Sequence, residues 1–288
     1  DFERLEPRLA LADAAVVLSL SARSFAGDGI EVPFPLGNNG FDQFSLGLDS
    51  ATLALVWFHR INDDDENGFN TGAVQLENVA VDGNRVFIAA TNSGIVQFGG
   101  NVIGPGSVVF ELDASGEGDR RESDHFLVAV LVSLQTMCVN SRWVFIGGAA
   151  LRDATTRPAI WRMPRAGMIS QVLPFSSEGS VHSITCSGAG FRALIEVMSS
   201  VTFTIGDDEV THEVTERGDA DLLVARLMDD GSVSSFDVVA NSNVRDIPGG
   251  MARANDGADV VGVNIGASAL FTWSASIVRS VPRHHMPL

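Results

Sequence analysis

Arg85-Val86-Phe87-Ile88-Ala89-Ala90 returns as Arg142-Trp143-Val144-Phe145-Ile146-Gly147-Gly148, and the organisation of the whole chain follows from that return. More worn copies stand at Ala15-Val16-Val17-Leu18-Ser19, Arg192-Ala193-Leu194-Ile195-Glu196 and Asp259-Val260-Val261-Gly262-Val263. Downstream of each copy lies a second apolar run: Asp42 to Asp49, Ser107 to Asp113, Pro158 to Met163, Asp221 to Leu227 and Ser268 to Trp273. Both series step by roughly 50–70 residues, a period that belongs to arrays of small β-sheets.

One unit reads as four strands. Gln75 to Asp82 alternates and ends in the tight-turn signal Asp82-Gly83-Asn84. Arg85 to Ala90 is nearly continuously apolar, as in a strand buried on both faces. A Gly-rich excursion from Thr91 to Gly106 follows, then a third strand from Ser107 to Asp113 and a weaker fourth. The fourth is clearer in unit one, at Leu53 to Phe58, and in unit four, at Ser232 to Val239. Four antiparallel strands per unit, repeated in tandem, predict an all-β protein of the β-propeller class with five four-stranded blades. The expectation is one propeller domain over 1–288, with blades near 8–62, 73–125, 131–175, 181–241 and 245–288.

A column of small residues, Ala10, Ala80, Cys138, Cys186 and Ala252, precedes the five buried strands. Innermost propeller strands converge on an axis where large side chains would overpack. The rival is seven shorter blades of about 40 residues. Five is preferred because the turn after strand three, as in Asp113-Ala114-Ser115-Gly116 and Asp229-Asp230-Gly231, occurs once per long period. Residues 2–5 alternate apolar and charged side chains before Pro7 and are expected to cover the outer edge of unit five, beside a fourth strand at Ala275 to Val281.

Composition narrows function by exclusion. The net charge of −17 argues against nucleic-acid binding, which needs a basic footprint. No run of 18 apolar residues exists, so no membrane-spanning helix is expected. All 19 basic residues are arginine and there is no tyrosine, which weakens a lectin reading built on tyrosine platforms. The chain opens on Asp1 rather than Met, as a processed or trimmed product would.

The phrases Val79-Ala80-Val81-Asp82-Gly83-Asn84-Arg85-Val86-Phe87-Ile88-Ala89-Ala90 and Asp221-Leu222-Leu223-Val224-Ala225-Arg226-Leu227-Met228-Asp229-Asp230-Gly231 resemble the bacterial SBBP-type β-propeller repeats. Ser93 to Gly100 matches the middle segment of that repeat. The resemblance spans most of the chain, is best in units two and four, and is poor in unit five. It implies an exported or surface-associated propeller, secreted or held at the cell surface. The family carries no shared catalytic motif, so it transfers no site.

The candidate sites start from the loops. Those joining strands two and three, with those linking blades, would share one face of a propeller, and here they are long, unequal and acidic. Unit one contributes Ser21 to Phe41; unit four contributes Met198 to Asp219, with Asp207, Asp208, Glu209, Glu213 and Glu216. Variable loops on a rigid scaffold suit binding; the plainer reading is solvated loops on an acidic protein. In the link after unit one, Asp63-x-Asp65-x-Asn67-Gly68 has the spacing of three oxygen ligands for Ca2+ with a turn-permitting glycine. The closing Glu of an EF-hand is missing, its place taken by Val74, although Glu77 lies nearby. A solvated acidic turn is the competing reading.

Cys138 and Cys186 occupy equivalent positions in neighbouring units. They fit either a disulfide across adjacent inner strands or two small buried thiols. None of the six histidines shows zinc-ligand spacing, and no Gly-x-Ser-x-Gly elbow or Walker loop is present. Trp57, Trp143, Trp161 and Trp273 fall mostly within expected strands, so packing is favoured over sugar stacking. The reading is a non-enzymatic binding or adhesion module for a carbohydrate or protein ligand. The alternatives are a carbohydrate-active hydrolase with paired carboxylates in an axial pocket, and a structural component of a surface assembly.

Overall fold

The computed structural model describes residues 15–22, 25–27, 30–32, 42–49, 55–61, 74–82, 85–98, 101–113, 126–128, 131–164, 171–188, 190–214, 220–240, 247–253, 259–264 and 274–276. These form an all-β protein of small antiparallel sheets, with no helix among the described residues. In chain order, β1 (Ala15–Ala22) is followed by a short hairpin, β2 (Phe25–Gly27) and β3 (Ile30–Val32), then β4 (Asp42–Asp49) and β5 (Leu55–Ile61). The second set is β6 (Val74–Asp82), β7 (Arg85–Asn92), the hairpin β8 (Val96–Phe98) and β9 (Asn101–Ile103), β10 (Gly106–Asp113) and β11 (Phe126–Val128). The third is β12 (Leu131–Val139), β13 (Trp143–Arg152), β14 (Thr155–Pro164) and β15 (Gln171–Pro174). The fourth is β16 (Gly179–Ser187), β17 (Gly190–Val197), the hairpin β18 (Val201–Ile205) and β19 (Asp208–His212), β20 (Asp221–Met228) and β21 (Val233–Ala240). The fifth is β22 (Ile247–Arg253), β23 (Asp259–Asn264) and β24 (Ser274–Ser276).

Each set is one meander. The sheet orders are β1-β4-β5, β6-β7-β10-β11, β12-β13-β14-β15, β16-β17-β20-β21 and β22-β23-β24. The apolar runs that begin at Arg85, Arg142, Arg192 and Asp259 lie in the second strands of their sheets, and that at Ala15 lies in β1, the terminal strand of its described sheet; the downstream runs at Asp42, Ser107, Pro158 and Asp221 supply their neighbours. Ala80, Cys138, Cys186 and Ala252 all fall in first strands; Ala10 lies outside the described residues. The fifth unit corrects the expectation. Ser274–Ser276 pairs directly with β23, so residues assigned to a fourth strand stand third in the sheet. Ser268 to Trp273, and residues 2–5 expected to cover that edge, lie outside the described residues.

The chain forms two compact units, Asp1–Leu134 and Gln135–Leu288. In the first, β6 packs against β1, and β7 is the buried spine: Val86, Phe87, Ile88, Ala89 and Ala90 are at most 1% exposed. Small residues at 89 and 90 let both faces of β7 be covered, which a longer side chain there would prevent. Arg85, at the strand's start, pairs with Glu111 on β10.

In the second unit, β16 packs on β13 and β14, and β22 on β16 and β17. The period-two alternation of β17 and β20 divides their side chains between two cores. Ala193, Ile195, Leu223, Ala225 and Leu227 join Phe145 and Ile160 on one side; Leu194, Leu222 and Val224 join Val261 and Val263 on the other. The strand β13 carries glycine at 147 for a steric reason. A Cβ there would approach Ile184 Cδ1 to 2.6 Å and Val181 Cγ1 to 2.7 Å.

Cys138 and Cys186 are bonded, their Cα atoms 5.6 Å apart. Of the two readings open in the sequence, the disulfide is the one formed. Trp161 is 1% exposed, and Trp143 stacks under the Arg162 guanidinium at 4.3 Å, so both serve packing.

Candidate functional site

The connections between second and third strands carry the structural variation. Three of them hold their own two-stranded hairpins, β2-β3, β8-β9 and β18-β19, where the sequence suggested only loops. In the third sheet the strands themselves run on to a two-residue turn at Asp153 and Ala154, both with positive φ, 52° and 62°. Two consecutive left-handed residues give the twist that a tight hairpin needs.

The hairpin β18-β19 forms because Val201-Thr202-Phe203-Thr204-Ile205 alternates and Gly206, at φ 65°, turns the chain. Val201 and Phe203 are buried. Phe203 meets Phe236 of β21 at 4.7 Å and Phe175 at 6.1 Å between ring centroids. The opposite face stays in solvent: Thr202, Thr204 and Thr211 are exposed, with Thr202 and Thr211 Oγ1 atoms 2.9 Å apart across the strands. Asp207, Asp208 and Glu209 occupy the exposed tip.

His212 anchors the base of this hairpin. Its Nε2 lies 2.7 Å from Asp221 Oδ2, with side-chain exposures of 11% and 6%. Nearby, His182 Nε2 lies 2.9 Å from Glu196 Oε2, and Glu196 is buried. A buried carboxylate needs such a partner, because desolvation without one costs several kcal/mol. Gly179 makes room for β16 here: its φ is 142°, and a Cβ would lie 1.9 Å from the Glu196 carbonyl oxygen.

A β-bulge recurs in the first strands. Glu77, His182 and Gly249 are the extra residues between Leu76 and Asn78, Val181 and Ser183, and Pro248 and Gly250. Bulges re-aim side chains. At two of these positions the residue reaches its neighbouring second strand: Glu77 accepts a hydrogen bond from the Thr91 side chain, and His182 meets Glu196. The sequence presents His182 and His212 only among six histidines without zinc-ligand spacing. It did not reveal Glu196, Asp221 or the bulges, because partners 9 and 14 residues apart are brought together only by strand register.

Burial raises the Glu77 carboxyl above its ordinary range, partly offset by the Thr91 hydrogen bond. A raised carboxyl pKa favours the fold while protonated, and that contribution disappears as pH rises through the raised value. Glu77→Gln is therefore expected to raise the melting temperature near pH 7 relative to wild type and to leave it level near pH 4. Thermal melts at the two pH values check this; an equal difference at both would exclude titration of Glu77 as the cause.

Glu196 and Asp221 do not form a catalytic carboxylate pair. Glu196 stands opposite Leu222 and Asp221 opposite Val197, so the two acids project to opposite faces of the sheet. No group of three or more His, Cys, Asp or Glu suited to a metal ion occurs among the described residues. Asp63, Asp65 and Asn67, the expected calcium ligands, lie outside them. No helix among the described residues is long and apolar enough to cross a membrane. No family model matches the chain, and a comparison with curated proteins finds no match.

Proposed function

We propose that the protein is a non-enzymatic binding or adhesion module, an exported SBBP-like β-propeller whose ligand face is formed by its strand two-to-three connections. The observation that carries the reading is the contrast between five regular meanders and connections that differ in every sheet described through that point. The disulfide between first strands of neighbouring sheets, and the small residues in those strands, support a propeller with first strands innermost. A carbohydrate or protein is the ligand class. A rigid scaffold holding polar, exposed hairpins pays little ordering entropy when it binds.

The hairpin tip provides the test. Asp207→Asn, Asp208→Asn and Glu209→Gln together remove three exposed charges without touching Val201 or Phe203. On an array of immobilised glycans, the wild-type protein is expected to retain a subset that the triple variant binds about tenfold more weakly, some 1.4 kcal/mol. The melting temperature should stay unchanged. Equal binding by both proteins would remove this hairpin from the ligand face.

The loop containing Asp63, Asp65 and Asn67 is proposed as a calcium site of the same module. Calcium binding only the folded state would raise the melting temperature by mass action, by ~2.7 kcal/mol of stability at 100 times the dissociation constant. Asp65→Ala should abolish the rise. A melting curve insensitive to calcium from micromolar to millimolar would leave a solvated acidic turn.

A further inference from the structure

We propose that the open edge of β19 docks an extended, basic segment of a partner protein, which adds to the β18-β19 hairpin as a third strand. This deepens the reading of the hairpin as part of a ligand face, and rests on it. The hairpin is a two-stranded sheet. β18 stands against β21, through Phe203 and Phe236, and β19 has no strand on its other side among the described residues. The last strands of the third and fourth sheets are blunted as edges. β15 carries Pro174, and the ladder of β21 with β20 is interrupted by two register shifts. β19 has neither: its register with β18 runs unbroken from Asp208 to His212.

That register shows which backbone groups are open. Gly206 and Asp207 make a two-residue turn, which closes on a hydrogen-bonded pair, here Ile205 and Asp208. Bonded pairs alternate along an antiparallel ladder, so Val210 and His212 also bond to β18. The N–H and C=O groups of Glu209 and Thr211 then point away from β18, to the open edge.

The side chains decide what can pair there. Glu209 and Thr211 stand on the solvent face with Thr202 and Thr204. Glu213, which accepts a hydrogen bond from Ser200 Oγ at 2.7 Å, continues that row. On the other face Val210 is 38% exposed, although its partner Phe203 is buried. A strand laid along β19 therefore meets carboxylates on one face and an uncovered valine on the other. Alternating basic and β-branched residues complement both. A second copy of the hairpin would bring like charges together, and the chain's net charge of −17 opposes that further.

The test is fluorescence anisotropy of a labelled peptide in which arginine alternates with valine, titrated with the full chain. Wild type should bind it saturably. The same peptide methylated on its backbone nitrogens should bind at least about tenfold more weakly, because each lost donor leaves a carbonyl unpaired. Thr211→Pro removes one outward N–H and no bond to β18, and should weaken binding about tenfold. Thr211→Val keeps the N–H and should bind as wild type. Glu209→Gln with Glu213→Gln should weaken binding about threefold at low salt and flatten its salt dependence. If Thr211→Pro lowers the melting temperature, the methylated peptide against wild type still decides. Absence of saturable binding, or equal binding by the methylated peptide, the folded proline variant or the charge variant, would each overturn the proposal. The two readings fail separately: a hairpin-tip variant that loses glycan binding while the peptide never binds would keep the ligand face and remove the strand-docking edge.

Discussion

Replacing Cys138 and Cys186 together by alanine will lower the melting temperature by roughly 10 °C, since a domain of this size loses ~2–4 °C per kcal/mol. The bond closes a loop of 48 residues. In the chain-entropy model a loop of that length restricts the unfolded ensemble by about 4 kcal/mol. Alanine suits the site, because the equivalent first-strand positions in the second and fifth sheets are Ala80 and Ala252. The native packing should then survive, and the loss should come mainly from the unfolded state. Calorimetry of wild type, wild type with reductant, and the double variant checks this. The last two should melt together, and a double variant as stable as oxidised wild type would contradict the expectation.

Phe145→Ala will destabilise the second unit by about 3–5 kcal/mol, the range for deleting a fully buried aromatic ring. Phe145 is 0% exposed and packs against Phe191 in the core shared by the third and fourth sheets. Its strand is held on both sides, so the cavity cannot close by a small shift of one sheet. The denaturant midpoint should fall with the slope unchanged. Phe145→Leu should lose clearly less, because the larger side chain leaves a smaller void. Phe145 and the disulfide serve the same seam, so their effects should not add when combined. Strict additivity would mean that the seam is two independent contacts.

The strands were legible because their cause is local. Val86 to Ala90 reads as a buried strand from five consecutive apolar or small residues, and it is one. The acid-rich stretch from Met198 to Asp219 was legible as a connection but not as a hairpin. Its alternation, Val201-Thr202-Phe203-Thr204, was overshadowed by the charges that follow it. In the fifth unit Ala275 and Ser276, read in the sequence as part of a fourth strand, stand directly beside β23, while the more apolar Ser268 to Trp273 lies outside the described residues. Register with a partner, not hydrophobicity, decides which residues of a weak strand pair.

What the sequence by itself determined is the all-β class, the spacing of the apolar strands and the small residues Ala80, Cys138, Cys186 and Ala252 in first strands, because each follows from side-chain size and period along one strand. The tertiary structure alone decided that Cys138 meets Cys186, that His182 meets Glu196 and that His212 meets Asp221. It also placed the bulges at Glu77 and His182. Those pairings depend on which strands lie side by side and on offsets of a single residue between them. Apolar periodicity leaves such offsets open at strand ends, where polar side chains replace the apolar ones that specify register.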